Sequence, residues 1–243
     1  MNKIVDRFDR SYVINLRDRL DRRENVISDF RKRGIDIPNP KVQFFTADRP
    51  NERGDFPTLG ARGSFTSHRE ILRLAVRDSL RNVLVFEDDV LFKSISAAAI
   101  DRILDALDRT PWDVVYFGYV MPDDKALSGP LTAWKDKTIG GHFYGVNGSF
   151  IHKMAVYMTD CEQRPSNHPM GGPTYRDGAY NRIHAVFPGV RVYLAVPNLA
   201  EQRSSRTDLH PLKFYDKFVW LRPALEELRI LKNHIRLFRM RIK

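Results

Sequence analysis

The chain has 243 residues, 42% of them apolar and 29% charged, with a formal net charge of +10. Enough apolar residues for a real core argue against a disordered or fibrous protein and suit one large domain, or one domain with a small appendage. A single cysteine, Cys161, cannot form an intramolecular disulfide; it fits a reducing compartment and reads as a buried helix residue. The polar, charged stretch from Met1 to Arg10 predicts no signal peptide, and no run approaches the ~18 apolar residues of a spanning helix, so a cytoplasmic location is expected.

In chain order, short apolar runs alternate with amphipathic stretches, which predicts an α/β sheet flanked by helices. Tyr12–Leu16 reads as a buried first strand. Asp18–Arg33 reads as a helix stopped by Gly34, and Val42–Thr46 as a second strand. Asn51–Gly63 is expected to be a loop. Ser64–Leu80 is expected to be a helix with an Ile71, Leu72, Ala75 and Val76 stripe. Asn82–Phe86 is a strongly apolar strand running straight into Glu87-Asp88-Asp89. A helix over Ile95–Leu107 and a strand over Asp113–Phe117 follow, then a mobile excursion over Met121–Ile139. His142–Phe150 reads as a strand, Ile151–Cys161 as a helix and Arg164–Gly172 as a loop. Arg176–Val186 is predicted helical and Val190–Val196 is the last strand.

Beyond a loose boundary near His210 the chain becomes basic and amphipathic. Residues 212–243 carry nine Lys/Arg against three Asp/Glu. The expected organisation is a domain over 1–210 and a basic helical segment over 211–243. Phe218, Leu221, Leu225, Leu228 and Ile235 form an apolar stripe in that segment, flanked by Lys232, Arg236, Arg239 and Arg241. Such a helix reads as a surface element for an anionic membrane, at the inner face of the cytoplasmic membrane; packing on its own domain or on a partner is the alternative. The body is only mildly basic, and it has no zinc spacing, RNP motif or basic-aromatic platform, so nucleic acid is not expected as a partner.

The sharpest feature is Val83-Leu-Val-Phe-Glu-Asp-Asp89. Three acids at the end of a buried strand repel one another unless a cation neutralises them. The carboxyl ends of strands are where open α/β sheets bind ligands. On an extended chain Glu87 and Asp89 point the same way, so both could face one divalent ion, Mn2+ or Mg2+, bridging the phosphates of a nucleotide diphosphate. An acidic cap for the Ile95 helix, a plain acidic turn and phosphodiester hydrolysis are the competing readings.

Four further segments carry candidate chemistry. Asn15 and Leu16 close the first strand ahead of Arg17, Asp18, Arg19, Asp21, Arg22 and Arg23. Guanidiniums suit phosphates, so Arg19 and Arg23 are candidates, while Arg22 reads as part of a solvated helix face. Gly63-Ser-Phe-Thr-Ser-His68 sits at a predicted loop-to-helix junction, where free amides attract anions. Ser67 and His68 could contact a donor there, with Ser64 as a helix cap and His68 as a core histidine on the other reading. Tyr175-Arg-Asp-Gly178 is a turn pattern, yet Asp177 before a helix is also where a general base could stand. Pro197–Gln202, followed by polar residues to Asp208, reads as a lid over the site or as a linker.

Together these residues resemble glycosyltransferase family 25, which includes bacterial lipooligosaccharide galactosyltransferases and the collagen galactosyltransferases. The resemblance rests on Tyr12–Leu16 with its arginine-rich turn, Gly63 with Ser67-His68, Val83–Asp89, the Gly145–Ile151 strand, Asp177, and Pro197 with Gln202, in the family's order. It implies a GT-A-like, Rossmann-type mixed sheet and a UDP-sugar donor, with a Mn2+-type ion at Glu87 and Asp89 and inversion at the anomeric carbon. It further implies donor contacts from Asn15, Leu16, Arg19, Arg23, Ser67, His68, Glu87, Asp88 and Gln202, and Asp177 as the base. The chain departs from the family at Ser64, where cysteine is frequent, and at Phe143-Tyr-Gly-Val-Asn-Gly148.

The expected activity is therefore hexosyl transfer, of galactose or glucose, from a UDP-sugar to a hydroxyl of a glycan or glycolipid acceptor, in lipopolysaccharide or surface polysaccharide synthesis. A non-catalytic nucleotide- or polyanion-binding module at a membrane surface is the alternative, needing neither Glu87 and Asp89 nor Asp177.

Overall fold

The computed structural model describes residues 1–120 and 122–203. The segment 211–243, the apolar stripe expected in it and the boundary near 210 lie outside the described residues. Within them a helix α1 (Asn2–Asp6) leads into β1 (Arg10–Leu16), α2 (Leu20–Arg31) and β2 (Val42–Ala47). Then come α3 (Leu59–Arg77), β3 (Asn82–Glu87), β4 (Val90–Phe92), α4 (Ala97–Arg109) and β5 (Val114–Gly118). A 3-10 turn (Asp124–Ala126) precedes β6 (Leu131–Ala133), β7 (Phe143–Asn147) and α5 (Phe150–Gln163). Two short helices, α6 (Arg176–Tyr180) and α7 (Ile183–Val186), precede β8 (Val192–Ala195) and β9 (Ala200–Gln202).

The strands form one mixed sheet in the order β2-β1-β3-β7-β5-β8-β6, with β9 joining β4 to β5. β1 runs parallel to β2 and β3, and β5 parallel to β8, while β7 is antiparallel to both β3 and β5. Strand alternation assigns the faces. Val83 and Val85 point with Tyr12, Val114 and Tyr144 toward α3 and α5; Leu84 and Phe86 point with Val13, Val115 and Phe117 toward α2 and α4. The result is a helix–sheet–helix sandwich, the mixed α/β arrangement expected of a GT-A-like fold. Cys161 is buried in α5, as expected.

Several expectations are corrected. α3 begins at Leu59, not Ser64, because the Thr58 hydroxyl accepts from the Ala61 amide at 3.0 Å and caps the helix five residues earlier. Residues 59–63 are therefore helix, and Ser64 is not the cap. The excursion after β5 is partly built into the sheet: β6 pairs with the edge of β8, and Asn181 holds both polar groups of the Thr138 backbone. The predicted single helix over 176–186 is broken into α6 and α7. The start of the supposed lid is β9, whose residues pair with β4.

Gly145 shows how tightly the two faces meet. A Cβ there would lie 2.6 Å from the ring of Phe8, which is itself wedged edge-on against Trp112 and Phe117. Gly145→Ala should cost about 1–3 kcal/mol by overpacking. Chemical denaturation would show it as a lower midpoint at unchanged slope; an unchanged midpoint would mean that Phe8 can move aside.

Candidate active site

β1, β3 and β5 all end at one edge of the sheet, and the Gly140–His142 segment that enters β7 crosses the same edge. The backbone there is joined: the Glu87 amide donates to the His142 carbonyl at 2.9 Å. Four carboxylates gather at this edge, each oriented by where the chain alternates or turns.

Glu87 is the last residue of β3 and continues the Val83/Val85 face, so it meets α3. His68 Nε2 lies 3.4 Å from its Oε1, and the Arg176 guanidinium lies 3.2 Å from the same oxygen. The strand then turns, which ends the alternation that would have aligned Glu87 with Asp89. Asp88 falls toward α2, where Arg22 donates to Oδ1 at 2.7 Å and Asn15 Nδ2 donates to Oδ2 at 2.9 Å. Asp89 receives a 2.9 Å hydrogen bond from Gln202 Nε2 on β9 at Oδ2, while its Oδ1 is buried with no hydrogen-bond partner among the described residues. The cap of α4 is Ser96, so the acids do not serve that helix.

Asp177 stands in the first turn of α6. Its Oδ1 lies 2.8 Å from Arg176 Nη1, and its Oδ2 accepts from the Gly140 amide at 2.8 Å. Arg176 is 5% exposed and also donates to the Gly141 carbonyl at 2.9 Å. A Cβ on Gly141 would lie 2.5 Å from the Tyr116 ring and 3.0 Å from Arg176 Nη1, so only glycine lets the segment pass here.

The electrostatics follow from these contacts. Burial opposes the charge on Glu87, but His68 and Arg176 outweigh it and hold the carboxyl down to about 2. Burial, reinforced by the negative charge of Glu87, pushes Asp89 up to about 7. Burial also raises Asp88, despite Arg22. His68 and His142 are lowered by burial and are neutral at pH 7. The hydrogen bonds assign the His68 tautomer: Tyr180 donates to the Tyr144 hydroxyl at 3.1 Å, Tyr144 donates to Nδ1 at 2.6 Å, and Nε2–H faces Glu87. Glu87, Asp88, Asp89 and Asp177 thus face two guanidiniums, Arg22 and Arg176, which leaves an excess of two negative charges if all four ionise.

The other sequence candidates are placed as follows. Asn15 lies beside Asp88 and also donates to the Arg19 carbonyl at 3.2 Å. Leu16 is half-buried, and its carbonyl accepts from the Arg19 amide. Arg19 clamps Asp21 through two hydrogen bonds and holds that carboxyl down to about 2. Arg23 stacks 3.8 Å above the Phe44 ring. Ser67 and His68 lie in the interior of α3, not at its start. Ser67 turns its hydroxyl back to the Gly63 carbonyl at 2.7 Å, and His68 is buried at 1% exposure beneath Glu87. The helix-start anion site is thereby removed for both. Arg22 is not on a solvated face: its side chain is 11% exposed and paired with Asp88. Arg176, the hub of the site, was not among the candidates; the only signal for it was its place beside Asp177.

Among the described residues no three acidic, imidazole or thiol groups cluster in a way that could hold a metal by themselves. A hard cation that borrows substrate phosphates needs only one or two carboxylates, and the partnerless Oδ1 of Asp89 fits such an ion. Glu87 Oε1 is already shared by Arg176 and His68.

No protein-family model matches the chain. A glycosyltransferase 25 family member of Aedes aegypti is 30% identical over 165 residues, covering 58% of this chain and 26% of that protein. The human inactive glycosyltransferase 25 family member 3 is 31% identical over 129 residues, covering 46% and 22%. Over about half its length the chain is similar to members of glycosyltransferase family 25. Human procollagen galactosyltransferase 2 is 24% identical over 129 residues, covering 46% of this chain and 21% of that protein. The chain thus spans about a quarter or less of the length of these family 25 relatives. A solved glycosyltransferase involved in the glycosylation of the major capsid of PBCV-1 is 12% identical with a TM-score of 0.49, covering 81% of this chain and 95% of that one; the likeness is too loose to argue from.

Proposed function

We propose that this chain is a metal-dependent inverting glycosyltransferase that moves a hexose from a UDP-sugar to a glycan or glycolipid hydroxyl. The observation that carries the reading is Asp89 Oδ1. It is a buried carboxylate oxygen with no hydrogen-bond partner among the described residues, at the carboxyl edge of the sheet, among acids that outnumber their arginines by two. A divalent cation would supply both missing charges.

Asp89 would hold Mn2+ or Mg2+, and the ion when bound would neutralise the diphosphate leaving group. Asn15, Leu16 and Asp88 line the end of β1 and β3 where the donor would lie; Arg19 stands beside them at 15% side-chain exposure. Asp177 would take the proton from the acceptor hydroxyl. Its Oδ2 accepts from the Gly140 amide and its Oδ1 is paired with Arg176, which orients the carboxylate; as a base it would have to come within hydrogen-bond reach of the acceptor hydroxyl. The galactose or glucose donor, a lipopolysaccharide or surface polysaccharide acceptor, and work at an anionic membrane through 212–243 extend the same proposal from the sequence.

A second reading is a binding module without catalysis. Arg176 already pairs with both Glu87 and Asp177, and the human and Bos taurus relatives are named inactive or probably inactive. Donor hydrolysis separates the two. Purified protein with a panel of nucleotide sugars should release nucleotide diphosphate from one donor with Mn2+ and not with chelator. Nucleotide diphosphate binding that ignores metal, with no release from any donor, would favour the module.

A further inference from the structure

Among the described residues, Arg176 reaches two of the four carboxylates at this edge. Its Nη2 reaches Glu87 Oε1 at 3.2 Å and the Gly141 carbonyl at 2.9 Å, and its Nη1 reaches Asp177 Oδ1 at 2.8 Å. The guanidinium carbon stands 5.5 Å from the Tyr144 ring and 5.6 Å from the Tyr180 ring. Nη2 thus donates to both Glu87 and the Gly141 carbonyl, while Nη1 meets Asp177 as an ion pair without a hydrogen bond; an ammonium has three donors, but on one nitrogen, and cannot span both positions. Glu87 is bound from the other side as well, by His68, whose imidazole is fixed by the Tyr144 and Tyr180 hydroxyls.

The contacts of Glu87 are made by Oε1 and lead into the protein, through Arg176 toward Asp177 and through His68 toward Tyr144. The connections of Asp89 differ: one oxygen is held by Gln202 and the other is buried without a hydrogen-bond partner among the described residues. We infer that Glu87 is not a metal ligand but a positioning residue, which fixes Arg176 and through it the carboxylate of Asp177, leaving Asp89 alone to hold the ion. This rests on the glycosyltransferase reading above and departs from the paired Glu87–Asp89 site that the sequence suggests. It divides the site by function: Asp89 and Asp88 serve the donor side, and Glu87, Arg176 and His68 serve the acceptor side. The short spacing of Glu87 and Asp89 along the chain is then a consequence of the turn, which aims one inward and the other at the ligand.

The test is Mn2+ affinity, read by the quenching of the free-ion paramagnetic signal, beside donor hydrolysis by the same full-length samples. Glu87→Gln should bind Mn2+ within about threefold of the parent, whereas Asp89→Asn should lose tenfold or more. Glu87→Gln should also lower kcat of donor hydrolysis about tenfold, where water takes the place of the acceptor, with KM for the donor unchanged. Arg176→Lys keeps the charge but cannot bridge; it should give the same split, with Mn2+ affinity unchanged. Loss of Mn2+ binding in Glu87→Gln equal to that in Asp89→Asn overturns the inference. If Glu87→Gln does not fold, tenfold tighter Mn2+ binding in Arg176→Lys overturns it instead, since Glu87 would then have been released to the ion. A parent protein that binds no Mn2+ at all sinks the metal-dependent reading itself, and this inference with it.

Discussion

Asp89→Asn should stabilise the metal-free protein and abolish its metal response. Asp89 is pushed up to about 7 by burial and by Glu87, from an ordinary 3.8. A carboxyl whose folded pKa lies above its unfolded one weakens the fold once it must ionise. The penalty is absent below about pH 4, grows between about pH 4 and 7, and is constant above. Asparagine keeps an oxygen for Gln202 and removes the charge. Taken in full the shift amounts to roughly 4 kcal/mol at about 1.4 kcal/mol per unit; because Glu87 beside it shares the titration, about 2 kcal/mol is expected, or a Tm rise of about 4–8 °C at pH 8. Mn2+ should raise the Tm of the parent and leave the variant unmoved, and Mn2+-dependent donor turnover should fall by about 10²-fold or more. A variant that keeps full turnover and still requires metal would remove Asp89 from the metal site. A variant no more stable than the parent at pH 8 would mean that Asp89 carries its charge there at no cost.

The strands were legible because each is a continuous apolar run bounded by polar or turn residues. Val83–Phe86 needs no partner to be recognised as buried on both faces. Gly34 reads correctly as a stop because a positive φ (73°) is required there. What escaped depends on contacts distant in sequence. β9 is three residues long and exists because Val90–Phe92 lies alongside it, 110 residues earlier in the chain. The start of α3 was misplaced because Gly60 and Gly63 read as loop, whereas Thr58 caps a helix that carries both.

The candidate site was half legible for the same reason. The acids declare themselves, since three in a row after an apolar strand repel one another. Their partners do not. Arg22 sits in a run of alternating charges that is solvated in most helices, and nothing local says that this guanidinium turns inward. Arg176 looks like one charge of a turn, and only the fold brings it 89 residues back to Glu87. His68 was assigned to a ligand because the junction was drawn five residues too close to it.

Arg22→Ala should be among the most damaging single changes at the surface of α2. Its guanidinium and the Asp88 carboxylate are 11% and 9% exposed as side chains and 2.7 Å apart. Removing one partner of such a pair strands the other charge, at a cost of about 3 kcal/mol, or a Tm loss of about 6–12 °C. Burial already raises Asp88 with Arg22 in place. Without the arginine its folded pKa rises further, so the loss should be full at pH 8 and shrink as acid protonates Asp88. Asp88→Asn in the same chain should recover most of the stability and abolish the pH dependence, because the neutral amide no longer needs a cation. Equal destabilisation of the single and double variants would place the loss in packing by the arginine stem. A loss below about 1 kcal/mol at pH 8 would return Arg22 to the solvated face that its neighbours in the sequence suggest. The pair matters beyond stability. Arg22 and Asn15 hold Asp88 in the turn on which Asp89 stands, so even the stability-restored double variant should bind Mn2+ more weakly than its parent.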